Sequence, residues 1–362
     1  MTKRLAINLG LSFTMLAVCV YLVWPSPESR VLLAEAVRKM RWADFWPYLL
    51  AYGGLMVVVH FCRSWRWNSL LAPLGVRLGF GRLFAISSVG FLAILALPAR
   101  LGEFVRPSLI RQKGHISASA ALGTVAVERV VDGLMVSLFV FGTLFSLNGP
   151  GAPGWMMPTA YSALGVFTAA MVFLVFAMRK PEATVDFCLK MSLMTRLAPR
   201  AAAVIREKLL EMIRGLAVLR DVRNMAVFVG WSLLYWTANG LTVLVMARAF
   251  GLPLTPIGAY ASMGVVAVGI MLPNAPALAG QFQYFTLLGL SLYLGKEVMQ
   301  EKPPHALYIS AMLMATVHYL LQVAWYVTAG VIGLASKHVA WADLFKSRKL
   351  APAATPSDDP VT

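Results

Sequence analysis

Two short segments gather the side chains that could do chemistry. The first, LPARLGEF (97–104), sets Arg100 and Glu103 around Pro98 and Gly102, and Arg106 follows two residues later. The second, VERVVDG (127–133), supplies Glu128, Arg129 and Asp132. At a spacing of three, Glu103 and Arg106 share one face of a helix and can pair. At a spacing of four, Glu128 and Asp132 do the same, with Arg129 about 100° round from Glu128. Arginines in such a group can grip a lipid phosphate through forked hydrogen bonds, while the acids orient them, bind a cationic headgroup or carry a coupling proton. The same six charges could instead form an ion-pair network that only locks one segment to the next.

The surrounding solvent weighs on that choice. Of the 362 residues, 59% are hydrophobic and 13% charged, mean hydropathy is +0.70, and apolar stretches of membrane-span length recur along the chain. The composition is that of a polytopic membrane protein. A charge at mid-bilayer costs about 2.5–3.5 kcal/mol on insertion scales, and helices can pack there with small residues alone, so the functional reading of the six charges is favoured. The net charge of +16 sits between apolar spans, where it attracts anionic headgroups; nucleic acid is not an expected partner. Cys19, Cys62 and Cys188 have neither CxxC spacing nor a histidine cluster, so no disulfide framework and no metal site is expected. With no G-x-x-x-x-G-K-[ST] motif and no nucleophile–base pair, no cofactor and no catalytic residue is assigned.

Apolar length defines six spans, near 5–24, 47–62, 116–147, 158–178, 225–250 and 305–335. The first could be a signal peptide with a lipoprotein-like box at LAVC (16–19), but Val18 stands where a small residue is wanted and the apolar run continues past Cys19. Two further stretches, 83–97 and 258–272, would each cover only about 22 Å of a core about 30 Å thick. Both end in Leu-Pro, at Pro98 and Pro273, where helix is disfavoured. They also resemble each other: SVGFLA (88–93) aligns with SMGVVA (262–267), and GEF (102–104) with GQF (280–282).

Ten Lys and Arg residues in 179–223, four in 63–82, four in 337–349 and two at the N-terminus place these regions, and both termini, on the cytoplasmic side of the cell's inner membrane. Segment 25–46 is awkward, because it should be external yet holds Arg30, Arg38, Lys39 and Arg41 against Glu28, Glu35 and Asp44. Parity then makes 83–113 and 258–295 re-entrant hairpins entering from opposite sides. The expected fold class is all-α and polytopic, with about six crossing helices plus two re-entrant hairpins arranged as an inverted repeat, a transporter design. Eight ordinary crossings would keep the same termini. The implied organisation is a first membrane half (1–178), a connector (179–223), a second half (224–336) and a cytoplasmic tail (337–362). Pro98, Gly102, Pro273 and Gly280 would serve as hinges at the hairpin tips. Asn274, Gln281 and Gln283 would either complete the site or satisfy the broken backbone.

Other polar residues read as structural. His318, near Gln322, is expected to be a satisfied interhelical donor. His60, Trp65 and Trp67 are expected in an interfacial belt. AAAVIREKLLEMIRGLAVLR (201–220) reads as an amphipathic helix joining the halves, and the last twelve residues as a disordered tail.

LPARLGEFVRPSLI (97–110), ERVVDGL (128–134) and LPNAPALAGQF (272–282) together resemble the transmembrane region of the lysylphosphatidylglycerol synthase/flippase family. The resemblance runs from about residue 5 to residue 334. Its motif positions fall on Pro98, Arg100, Gly102, Glu103, Arg106, Glu128, Arg129 and Asp132. In the longer relatives a soluble C-terminal domain transfers an amino acid from tRNA to phosphatidylglycerol, and the membrane part moves the product between leaflets. This chain leaves no room for that domain, so the resemblance implies translocation without synthesis. Stand-alone relatives are associated with polyprenyl-linked sugars, glycolipids and hopanoids.

The resulting expectation is a lipid translocator, not an enzyme, with a membrane lipid as substrate. Arg100, Glu103, Arg106, Glu128, Arg129, Asp132, Asn274 and Gln281 would form its site. Drive would come from a proton or other ion gradient, a partner enzyme that makes the lipid, or the lipid's own gradient. The competing expectations are an intramembrane enzyme acting on a lipid-linked phosphate or sugar, with Glu103, Glu128 or Asp132 as base, and a non-catalytic envelope subunit.

Overall fold

A computed structural model of the protein describes residues 14, 17–18, 20–21, 23–111, 116–144, 154, 156–192, 195, 198–270 and 276–339. The expected first span, the tail beyond 339, Pro273 and Asn274 lie largely or wholly outside these residues. Among the described residues every regular element is helical.

Helix α1 (Pro27–Lys39) starts where the sequence supplies start signals. Ser26 caps it by accepting from the Ser29 amide at 3.2 Å, Pro27 opens the first turn, and Arg38 and Lys39 close the last. The long apolar elements follow: α2 (Trp42–Trp65), continued past Arg66 by the short α3 (Trp67–Leu71), then α6 (Ala118–Leu144), α7 (Met156–Arg179), α10 (Val222–Ala249) and α13 (Ala306–Ala335). Among the described residues four stretches are long and apolar enough to cross a membrane: Ala43–Leu74, Ala160–Arg179, Val222–Ala249 and Ala306–Ala335. Helix α6, with 27 residues, has the length but carries Glu128, Arg129 and Asp132 midway. The expected span 47–62 is therefore too short. Helix continues through the cations at 63 and 66, which charge counting had assigned to a cytoplasmic loop.

Both expected breaks are present as helical hairpins. In the first, α4 (Phe80–Ala96) stops at Leu97, a 3₁₀ turn runs over Pro98–Phe104, and α5 (Val105–Arg111) returns along α4. Glycine is required twice. A Cβ on Gly102 would lie 2.2 Å from the Ala93 carbonyl carbon, and one on Gly90 2.2 Å from the Arg106 side chain. In the second, α11 (Pro256–Gly269) is capped by the Thr255 hydroxyl and α12 (Gln281–Leu294) returns along it. The turn between them ends in a 3₁₀ segment (Pro276–Leu278), with positive φ at Ala277, Leu278 and Gly280. At 1.5 Å per residue α4 and α11 reach about 26 and 21 Å, short of a hydrocarbon core about 30 Å thick.

Packing is reciprocal. Helix α2 lies along α10, hairpin helix α4 lies along α13 of the second half, and hairpin helix α11 lies along α6 of the first. Small residues make these approaches close: Gly330 meets Leu92, and Gly264 meets Val140. The connector contains α8 (Pro181–Met191), α9 (Pro199–Arg214) and a 3₁₀ turn (Gly215–Arg220). Its backbone touches α6 where Gly123 and Gly215 face each other, since a Cβ on Gly123 would lie 2.0 Å from the Met212 carbonyl oxygen. Large apolar side chains such as Val166, Val172 and Ile332 stay exposed on the outside, as lipid-facing surfaces do.

Candidate functional site

The six charges do not form one uniform group. Glu128, buried in the middle of α6, accepts from three guanidiniums: Arg66 Nη2 at 3.0 Å and Arg129 Nη2 at 2.8 Å on Oε1, and Arg106 Nη1 at 3.0 Å on Oε2. Arg66, at the joint between α2 and α3, forks onto both oxygens of Asp132 at 2.6 and 2.7 Å and also donates to the Ser232 hydroxyl at 3.0 Å. Trp236 Nε1 adds a donor to Asp132 at 3.1 Å. Arg106 lies over the Trp67 ring, 4.2 Å from its centroid, and Trp67 in turn donates to Thr124 at 3.0 Å. One network thus ties α2, hairpin 1, α6 and α10 together. Glu128 and Arg66 have no exposed surface, and Arg106 has 2%.

Beside this network lies a cavity of about 400 Å³ between the two hairpins, α6, α10 and α13. Its walls are mostly apolar. The charges that reach it are Arg63, Glu103, Arg129 and Asp132. Arg63, one turn before Arg66, donates to the Tyr326 hydroxyl at 3.2 Å and sits 4.0 Å from the Phe91 ring centroid. Its Nε has no hydrogen-bond partner. Among the described residues no carboxylate lies within ion-pair distance of Arg63. Among the described residues of cavity and network together, four guanidiniums face three carboxylates, one positive charge in excess.

A second polar cluster surrounds His60. Trp325 Nε1 donates to its Nδ1 at 3.2 Å, and its Nε2 meets Ser88 Oγ at 2.8 Å. An indole N–H can only donate, so Nδ1 accepts and the proton sits on Nε2. His60 therefore gives its proton toward Ser88 and is not placed as a base for that hydroxyl.

Residues 6–299 match the family model described as the lysylphosphatidylglycerol synthase TM region. The chain belongs to this family. With four helices among the described residues long and apolar enough to cross, this family member is a multi-pass membrane protein. Over 151 residues it is 28% identical to the glycosyltransferase AglD of Haloferax volcanii, a match covering 41% of this chain and 23% of that protein. The chain thus matches less than a quarter of that relative's length. No solved structure matches.

The residues that carry the sequence resemblance divide by location. Glu103, Arg129 and Asp132 line the cavity, whereas Arg106 and Glu128 lie in the buried network behind it. Arg106 pairs with Glu128 on α6, where spacing had suggested Glu103. The backbone of Arg100 lies in the hairpin turn; its side chain, like that of Pro98 and all of Asn274, is outside the described residues. Gln281 is fully buried and donates to the Gly269 carbonyl at 2.9 Å, closing hairpin 2.

Several residues were misread from sequence. His60 and Trp67 are buried in the bundle, not set in an interfacial belt. His318 is not satisfied: it is 4% exposed, lines the cavity, and its Nδ1 has no partner. Arg63 and Arg66 were missed because they follow the apolar run directly. Their spacing of three from each other, on a helix that shows no stop signal before Trp65, was the available clue.

Proposed function

We propose that this protein moves a lipid with a phosphate-bearing headgroup between leaflets. The headgroup passes through the cavity between the hairpins while the acyl chains stay in the bilayer. The observation that carries the reading is Arg63, a guanidinium in the cavity wall with aromatic and hydroxyl neighbours. With a net excess of one positive charge around it, the cavity suits an anion. A volume of about 400 Å³ falls within the roughly 300–1,000 Å³ of small-molecule sites, and so fits a headgroup and not a whole lipid.

The reciprocal packing of each hairpin on the opposite half supports two re-entrant hairpins in an inverted repeat, with six helices crossing. Irregular backbone at membrane depth is tolerated where it is buried or lines a wet cavity, and both hairpins supply cavity walls. The buried network acts as the frame that holds α6 and hairpin 1 in register. The protein is placed in the inner membrane, driven by an ion gradient, a partner enzyme or the lipid's own gradient.

The similarity to a glycosyltransferase supports a competing reading, an enzyme acting on a lipid-linked sugar. Leaflet exchange in proteoliposomes tests both. Purified protein is reconstituted with labelled anionic, aminoacylated or polyprenyl-linked lipids, and headgroup access to an impermeant quencher is followed. Exchange of one class with unchanged headgroup chemistry, lost in Arg63→Gln, is expected. A chemically altered headgroup would establish the enzyme, and no exchange under an imposed proton gradient would reject the translocator.

A further inference from the structure

The place of helix α1 (Pro27–Lys39) in the fold fixes which face of the membrane it meets. Only Met40 and Arg41 separate it from α2. At the far end of α2, α3 and the turn after it (Ala72–Leu74) touch the connector's 3₁₀ turn. With 24 residues α2 is about 36 Å long, more than a hydrocarbon core of about 30 Å. Helix α1 and the connector therefore lie on opposite faces. Exposed aromatic side chains flank α1, with Tyr21 and Trp24 before it and Trp46 just after it. Such residues collect at the membrane–water boundary.

Around the axis of α1, at about 100° per residue, three sides differ in chemistry. The first is held by protein: Ser29 is fully buried, Leu33 packs on the core, and Ser29 Oγ donates to the Glu301 carbonyl at 3.4 Å while the Ser26 amide donates to the Glu301 carboxylate. The second carries Glu28, Leu32, Glu35 and Lys39, with Lys39 paired to Glu35 at 2.7 Å. The third, an arc of about 120°, presents Arg30, Val31, Ala34, Val37 and Arg38, all exposed and with no acid among them. Among the described residues no carboxylate lies within ion-pair distance of either arginine. Arginines interleaved with valines suit one setting: the valines enter the acyl boundary while the long arginine stems carry their guanidiniums out to phosphates. The acids, on the neighbouring side, stay in water.

We infer that the Arg30–Arg38 side of α1 is a docking surface for anionic phospholipid headgroups, in the leaflet opposite the connector. It accounts for cations in a segment where charge counting expects few, and it does not depend on what the cavity carries.

The test uses the full chain in phosphatidylcholine nanodiscs, with Cys19→Ser and Cys188→Ser, Cys62 being buried. One environment-sensitive dye is attached at Val31→Cys or at Glu35→Cys. Traces of phosphatidylcholine or phosphatidylglycerol bearing a nitroxide on the acyl chain serve as membrane quenchers, and iodide as the aqueous one. The dye at position 31 should be quenched by both lipids, and severalfold more per mole by phosphatidylglycerol, since each arginine near the surface contributes about fivefold to anionic-lipid affinity. The dye at position 35 should answer mainly to iodide. Arg30→Gln with Arg38→Gln, both at exposed positions and so harmless to folding, should equalise the two lipids at position 31 without reducing quenching by phosphatidylcholine. Raised salt should do the same. A dye at position 31 that answers to iodide and to neither lipid would overturn the membrane contact. Equal quenching by the two lipids with both arginines present, or a preference that survives the double substitution, would overturn the headgroup recognition.

Discussion

Neutralising Glu128 should be among the costliest single changes in this protein. Its two oxygens accept from Arg66, Arg106 and Arg129, but the three arginines do not depend on it equally. Arg66 keeps its fork onto Asp132, and Arg129, whose side chain is 31% exposed, keeps Asp132 at 3.9 Å. Arg106 has Glu128 as its only ion-pair partner among the described residues, and Glu128→Gln leaves it a buried cation facing an amide. Removing one member of a buried pair costs about 3–5 kcal/mol, so a loss of that size is expected for Glu128→Gln. If it arises from the stranded Arg106, a second change, Arg106→Gln, should recover about 1–3 kcal/mol of it, the coupling expected for residues in one network. Equilibrium unfolding in mixed micelles, run as a double-mutant cycle, reads both numbers. A Glu128→Gln variant within 1 kcal/mol of wild type (roughly the scale of an ordinary surface effect), or a double variant no better than the single, would refute the argument that Glu128 is the counter-ion of the frame.

Other expectations concern the frame and the connector. Gly102→Ala should destabilise hairpin 1, because its Cβ would meet the α4 backbone at 2.2 Å; a lower thermal midpoint in detergent and greater protease access near residue 100 would be the readouts. Gly123→Val should undock the connector from α6, seen as faster amide exchange over 199–220 with smaller change in α10. Trp325→Phe removes the donor to His60 and should cost about 1 kcal/mol by chemical unfolding, while leaving leaflet exchange intact. The hydrogen bond from Arg206 holds the Asp186 carboxyl below its usual range. A carboxylate held down in this way favours the docked form above its unfolded value, near 4, and that contribution fades as pH falls through the lowered folded value. Exchange protection of α9 should therefore weaken in acid and with added salt in the wild type, and Asp186→Asn should abolish both dependences.

How far the sequence disclosed the site depended on whether a residue announced itself against its background. Pro98, Gly102, Glu128 and Asp132 interrupt apolar runs, so helix breaks and buried charge could be inferred from position alone; the structure turns both breaks into hairpins and puts both acids on one face of α6. Arg63 and Arg66 carried the same chemistry without the same contrast. They stand at the end of an apolar run, where a cation ordinarily marks the membrane surface, and only the position of α2 relative to α6 and α13 separates a surface arginine from a buried one. His318 failed for the opposite reason: a lone histidine in a span suggests a paired donor, and the missing partner is a property of the cavity, which sequence does not specify. The correction also reaches the topology argument. With Arg66 buried and Arg63 in the cavity wall, only Arg77 and Arg82 of the four cations in 63–82 remain to bias orientation. The weight then rests on 179–223, whose ten cations lie in the connector docked on α6. On the proposed orientation, topology and site assembly are linked through one helix: the connector whose cations would set which end of α6 is cytoplasmic also packs against the same α6 whose middle presents Glu128 to hairpin 1. A reversed charge bias in the connector should thus disturb the buried network as well as the topology.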